Sequence, residues 1–432
     1  MKNKGKQLAF TMLVIACIGA ALLLFMPVAD RQDGVMPPAD EIPGIILSES
    51  APADDMADET PDHDSQPLPQ VGEWNTYHGD HTLRGVADVA FPNQLTVLWR
   101  LAAGAPVRQP PVAHDGRIFA VNARGDVIAA SPQGELLWRR ELTAVKDKND
   151  AKTSRLRIEA PISAFDGKVF VGTDAGALFA LNAETGETAW ETTVGGVIRG
   201  AANYLPGRNQ LIVLDQEDGT LACLDTQTGE INWRSERVDR SDGSPAVSGD
   251  IAVFGSCASA LHIVATDTGA RLRDVPIENG GGQVADGVAL FEGFAYAGTR
   301  DGRVICAAQN TGEIAWTAEV SVDEVFSTPA VHNDRVIATS HDGFIHALRR
   351  DSGALLWRLE IGFMPGSPVI AGDKVFVCAD GILHMLRFED GEQLWKMPLA
   401  DEIHGPALLP NLLVVGAEDG VVIALGPDNK VD

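Results

Sequence analysis

The chain reads as an all-β, eight-bladed β-propeller of four-stranded blades, closed by strands from both of its ends and preceded by an N-terminal transmembrane helix and a disordered tether. Three observations predict it. A phrase in which a glycine is followed four residues later by a tryptophan recurs along most of the 432 residues. The distance from one tryptophan to the next is that of four short strands with their turns, the unit of a propeller blade. Before about residue 73 the phrase is absent, and the sequence is first uncharged and apolar, then acidic and rich in proline.

Lys2, Lys4 and Lys6 precede an uncharged apolar run from Leu8 to Val28, long enough for a spanning helix of ~20 residues. Lysines held on the cytoplasmic side place everything after Ala29 beyond the inner membrane. Pro27 and Ala29 flank Val28 in a poor Ala-x-Ala site, which favours an uncleaved anchor over residues 1–29. A second reading stays open: Val14-Ile15-Ala16-Cys17 has the form of a lipobox, with Cys17 as the lipidated residue of a lipoprotein-type signal. Both readings put the remainder in a bacterial cell envelope, in the periplasm or outside, held to a membrane. Residues 30–72, acidic and Pro-rich, cannot bury enough apolar surface to offset their ordering entropy and read as a disordered linker. As a flexible coil it spans roughly 35 Å.

From residue 73 to 432 the repeats take over. The phrase runs from Gly134 to Trp138, Gly186 to Trp190, Gly229 to Trp233, Gly312 to Trp316, Gly353 to Trp357 and Gly391 to Trp395. A degenerate copy keeps Gly269 but has Arg273 in the tryptophan position, and Trp99 supplies the eighth. The spacings are 39, 52, 43, 40, 43, 41 and 38 residues. Trp99 is predicted to lie on the outer strand of a blade whose other strands come from the C-terminal NLLVVGAEDGVVIALG, which closes the ring. Blades open on a proline, as at Pro111, Pro161, Pro245, Pro329, Pro368 and Pro406, where no ladder donor is missed. Asp-Gly pairs such as Asp218-Gly219 and Asp380-Gly381 supply the positive φ of a hairpin between the second and third strands. A ligand-stacking tryptophan would occur once, so Trp99, Trp138, Trp190, Trp233, Trp316, Trp357 and Trp395 are assigned to packing between blades.

These phrases, ALNAETGETAW from Ala180 to Trp190 above all, resemble the PQQ-like repeat shared by quinoprotein dehydrogenases and by the BamB lipoproteins of outer-membrane β-barrel assembly, over roughly residues 95–428. The lead-in EWNTYHGDHTLRG, Glu73 to Gly85, resembles the segment before the first blade in such proteins. The enzymatic branch implies a quinone beside a vicinal disulfide, a calcium ion and a catalytic aspartate. This chain has no adjacent cysteines, its blades leave little length for a pocket wall, and no residue takes over those roles. Catalytic, cofactor-binding and metal residues are therefore assigned to none, and no cofactor is expected. The other branch implies a non-enzymatic scaffold for envelope protein partners, outer-membrane assembly components among them. A PQQ-dependent dehydrogenase and a ligand-sensing or polysaccharide-binding propeller are the alternatives.

The net charge of −26 repels phosphate and excludes nucleic acid as a partner. Residues just before each opening proline should face the mouth of a central funnel: Arg108, Gln109, Arg157, Glu159, Arg199, Asp242, Phe326, Met364 and His404. They form the candidate binding rim, with the three arginines as a positive spot, against the plain alternative of ordinary loop residues. The polar insert Val145–Leu156 explains the 52-residue spacing. His262, His346 and His384 share one repeat position and read as packed strand residues. Cys223 and Cys306 read as buried small hydrophobes, with a Cys223–Cys257 disulfide as an alternative.

Overall fold

A computed structural model describes residues 72–143, 156–278, 282–284 and 286–428. The anchor, the tether and the insert up to residue 155 lie outside them, and Leu156, which sequence placed in a polar loop, is buried. Eight sheets are present among the described residues; in seven of them the innermost strand is the shortest, and in the eighth the inner strand Ile403–Leu409 has seven residues. Blade 2 shows the logic. Its second and third strands, Lys168–Gly172 and Ala177–Asn182, are almost wholly buried, because neighbouring blades cover both faces. Its outer strand, Thr188–Thr193, reaches the rim and alternates towards solvent. The short inner strands adjoin one another around an axis.

Closure follows the predicted route. Thr96–Ala102 pairs antiparallel with Val421–Gly426, which pairs with Leu412–Ala417 and through it with the inner strand Ile403–Leu409. One chain end thus cannot leave without opening the eighth blade.

Six junctions between blades repeat one contact. The indole N–H of Trp99, Trp138, Trp190, Trp233, Trp316 and Trp357 donates to a backbone carbonyl of the next blade's outer turn, at 2.7 to 3.2 Å. The ring lies flat on the glycine of that turn: a Cβ on Gly186, whose φ is +73°, would stand 2.6 Å from the Trp138 ring. Glycine is needed there for conformation and for space together. In every outer strand the register slips at the residue just before the tryptophan, a bulge that re-aims the ring at the neighbouring blade. The degenerate repeat keeps both devices. Its strand is bulged in the same place, and the Arg273 guanidinium donates to Gln309 O at 2.9 Å, standing in for an indole. Arg273→Trp is accordingly expected to stabilise the protein by about 1 kcal/mol, seen as a rise of about 2 °C in Tm.

The lead-in departs from the expected plan. Instead of lying ahead of the first blade, Trp74–Ala87 runs around the inside of the ring. Backbone N–H groups on the inner strands donate to it blade after blade: Ala113 to Trp74 O, Ala164 to Asn75 O, Val247 to His81 O, Leu290 to Thr82 O, Val331 to Arg84 O and Ile370 to Gly85 O, at 2.7 to 2.9 Å. In blade 3, Asn203 Nδ2 donates to His81 O at 2.8 Å. Val86–Ala87 then joins blade 7 as a parallel fifth strand, so this blade is not four-stranded as expected. The cause is the inner edge itself: a row of N–H groups facing a narrow axis cannot be left unpaired away from water. The chain comes in beside the first-to-second-strand turn of blade 1, where Glu73 meets His114 and Asp115, and goes out past Gly372 in the matching turn of blade 7.

Candidate functional site

On the opposite face, where outer strands lead into the next inner strands, the axis opens as a funnel of about 640 Å³. Trp74, Tyr77 and His78 of the axial segment contribute to its lining. Tyr77 Oη donates to Asp286 Oδ2 at 2.8 Å and lies 2.8 Å from Ser367 Oγ, fixing the segment to the loops of blades 5 and 7. Burial, with Asp286 adding to it, pushes the Tyr77 hydroxyl well above its usual pKa, so it stays a donor. His78 touches Leu83 O at 2.6 Å and Pro368 O at 2.8 Å, and burial lowers its pKa.

All nine rim residues face this funnel or a smaller cavity of about 300 Å³ beside it. Asp242, Phe326, Met364 and His404 line the funnel; Arg108 and Arg157 line the side cavity; Gln109, Glu159 and Arg199 line both. The positive spot does not appear. Arg108 makes a two-pronged bond to Glu418 at 2.6 and 2.9 Å, Arg199 pairs with Glu159 at 3.1 Å, and Arg157 meets Glu159 and Asp174. Proximity in sequence to an opening proline also brings acidic neighbours, which the list of arginines left out. Asp286, Asp380, Asp401 and Glu402 join Glu159 and Asp242 in the funnel wall, making it acidic. Asp401 and Glu402 stand just before His404 in sequence and could have been found there; Asp286 stands where blade 5 lacks its opening proline, and no signal marked it.

Phe326 carries Arg300 over its face at 5.1 Å and stacks on His341 at 5.4 Å. Phe363 and Met364 project from the loop between blades 6 and 7, 66% and 52% exposed, although both are large and apolar. Sequence reasoning took Met364 and passed over Phe363.

Two groups could offer three metal ligands among the described residues: Glu73, His114 and Asp115 at the outer turn, and Glu402, His404 and Glu418 at the funnel. The first is tied up internally, His114 Nδ1 being 2.7 Å from Glu73, and the second includes Glu418, already held by Arg108. The quinone of the dehydrogenase branch is a tricarboxylate. A funnel walled by six carboxylates, with Arg199 already paired, does not fit it.

The described cysteines are all free, so Cys223 and Cys257 are not bridged. Cys223, Cys306 and Cys378 are buried, and burial pushes the Cys306 thiol up to about 12. His262, His346 and His384 are buried in third strands, bonded to Ser256 and Asp274, to Ser340 and to Gln393 respectively. Burial pushes His346 down to about 4, against about 6.5 when unfolded. Above pH ~6.5 neither state is charged and stability is complete. As pH falls from about 6.5 to about 4 the unfolded chain binds the proton first, and about 3 kcal/mol is lost across that window. Denaturation midpoints should fall there, and His346→Ile, which installs the residue type of Ile305 in blade 5, should flatten the fall. An unchanged slope would contradict this account.

The fold and site can be set beside known proteins. The family model described as outer membrane protein assembly factor BamB matches residues 123–285, 278–405 and 341–429. The BamB of Shewanella oneidensis is 24% identical over 355 residues, covering 68% of this chain and 88% of that protein. The BamB of Bordetella pertussis is 26% identical over 282 residues, covering 61% and 68%. The crystal structure of BamB from Moraxella catarrhalis superposes with a TM-score of 0.64 at 21% identity, over 78% of this chain and 99% of that one. The quinohemoprotein alcohol dehydrogenase of Comamonas testosteroni superposes with a TM-score of 0.66 at 14% identity, over 84% and 81%, a likeness of fold alone.

Proposed function

The chain belongs to the family of the outer membrane protein assembly factor BamB, and on that premise we propose that it is a non-enzymatic scaffold of the bacterial cell envelope which binds protein partners of outer-membrane assembly. The observation that carries this reading is the axial segment. Residues Trp74–Ala87 cover the inner edge of the ring with their own backbone, and the funnel left open on the axis is acidic. The chemistry left to such a ring is surface recognition by loops. The rim residues Arg108, Gln109, Arg157, Glu159, Arg199, Asp242, Phe326, Met364 and His404 are the contact surface in this reading.

Residues 1–29 would anchor the chain, either as an uncleaved inner-membrane helix or through lipid on Cys17, and residues 30–72 would tether the propeller. The described chain begins at Gly72, beside the Glu73–Asp115 contact on the face opposite the funnel. Isotope-labelled palmitate incorporated into the wild type and lost in Cys17→Ser would select the lipid anchor.

The test of function is purification of the full chain from cross-linked envelopes. Barrel-assembly components are expected with it in stoichiometric amount. Their absence, with quinone-dependent dye reduction by the same sample, would return the chain to the dehydrogenase branch.

A further inference from the structure

We propose that the funnel mouth docks an extended segment of a partner protein that carries a lysine or arginine beside a large apolar side chain. The proposal rests on the scaffold reading above and adds the chemistry of what is bound. The six carboxylates of the wall come from five loops, so their charge converges on one space instead of being spread over a surface. Asp242 adds a specific acceptor. Its side chain is only 10% exposed, and its Oδ2 accepts no hydrogen bond, Arg300 standing 3.6 Å away. A buried acceptor without a donor is unfavourable, and an incoming N–H would relieve it.

The apolar half of the site is beside it. Phe363 and Met364 are held out into water by a loop that is fixed at three points: Phe363 N donates to Asp380 Oδ2 at 2.9 Å, Gly366 N to Cys378 O at 2.9 Å and Gly362 N to Gly343 O at 3.4 Å. Met364 has a φ of +46°, a conformation that L-residues rarely adopt. On the neighbouring loop Val322 is fully exposed. A strained loop presenting large apolar groups is preorganised for contact, since little freedom remains to be lost on binding. The wall already contains one example of the chemistry: Arg300 sits over the Phe326 ring and bonds Glu324 at 3.0 Å. Phe363, next to the carboxylates of Asp380 and Asp401, offers a second cation the same pairing of ring and charge. Phosphate-bearing partners are repelled by the same wall.

The full chain in detergent is titrated with a short fluorescent peptide alternating lysine and leucine, and with its glutamate-for-lysine counterpart. Saturable binding of the first alone is expected, weakening about tenfold from low salt to about 0.5 M salt. Phe363→Ser with Met364→Ser should weaken it about tenfold, and Asp401→Asn with Glu402→Gln likewise, with Tm unchanged because these side chains are exposed. Equal binding of both peptides, or unaltered affinity in both double variants, overturns the proposal. Barrel-assembly components that copurify while the peptide fails to bind sink the proposal and spare the scaffold reading. Peptide binding without such copurification does the reverse.

Discussion

Replacing Trp74 by alanine is expected to destabilise the propeller by about 4 kcal/mol, while Trp74→Phe stays within about 1 kcal/mol of the wild type. Trp74 is 1% exposed and among the largest fully buried side chains, packed in the cluster that joins blades 1, 7 and 8. Its ring also supports Gly79, where a Cβ would come 3.3 Å from it. Alanine leaves a void at the start of the axial segment, and every later hydrogen bond of that segment depends on its course. The indole N–H has no hydrogen-bond partner among the described residues, so phenylalanine loses little area and sheds an unsatisfied donor. Thermal and denaturant unfolding of the two variants would separate these outcomes. An alanine variant as stable as the wild type would mean that the segment merely lies in the ring and does not hold it.

The blades were legible because their steric requirements recur. A glycine under a tryptophan, an Asp-Gly turn and an opening proline each answer a local demand that recurs at most of the blades, and even the Arg273 repeat could be placed by its glycine. Closure through Trp99 was legible for the same reason. The axial course of residues 74–87 was not. Its backbone carbonyls, not its side chains, meet the inner strands, and backbone bonding leaves no residue type behind in the sequence. The rim shows the same division. Position before the prolines located nine residues at the funnel and the cavity beside it, since that depends on the repeat. Their net charge depends on which side chains from other loops meet them, and pairings such as Arg108 with Glu418, far apart in the chain, have no local signature.

Gly381→Ala should cost about 4 kcal/mol, where the chemically identical change at Gly116 should cost about 1 kcal/mol. Both glycines are in the left-handed region, with φ of +71° and +68°, so the conformational penalty is common to them. Their surroundings differ. A Cβ at Gly116 meets nothing within 4 Å, but at Gly381 it would lie 1.9 Å from Ala400 O and 2.7 Å from Asp401 O. Backbone must move to admit it, and the bond from Leu399 N to Gly381 O at 2.9 Å goes with it. The segment displaced is Ala400–Glu402, which carries two of the funnel carboxylates, and Asp380 beside it holds the amide of Phe363. Gly381→Ala should therefore reduce peptide binding at temperatures where the protein is still folded, whereas Gly116→Ala, on the opposite face, should leave binding intact. Unfolding curves and peptide titrations of both variants test this. If Gly381→Ala lost stability and kept full affinity, the funnel loops would be binding independently of the blade-7 turn that positions them.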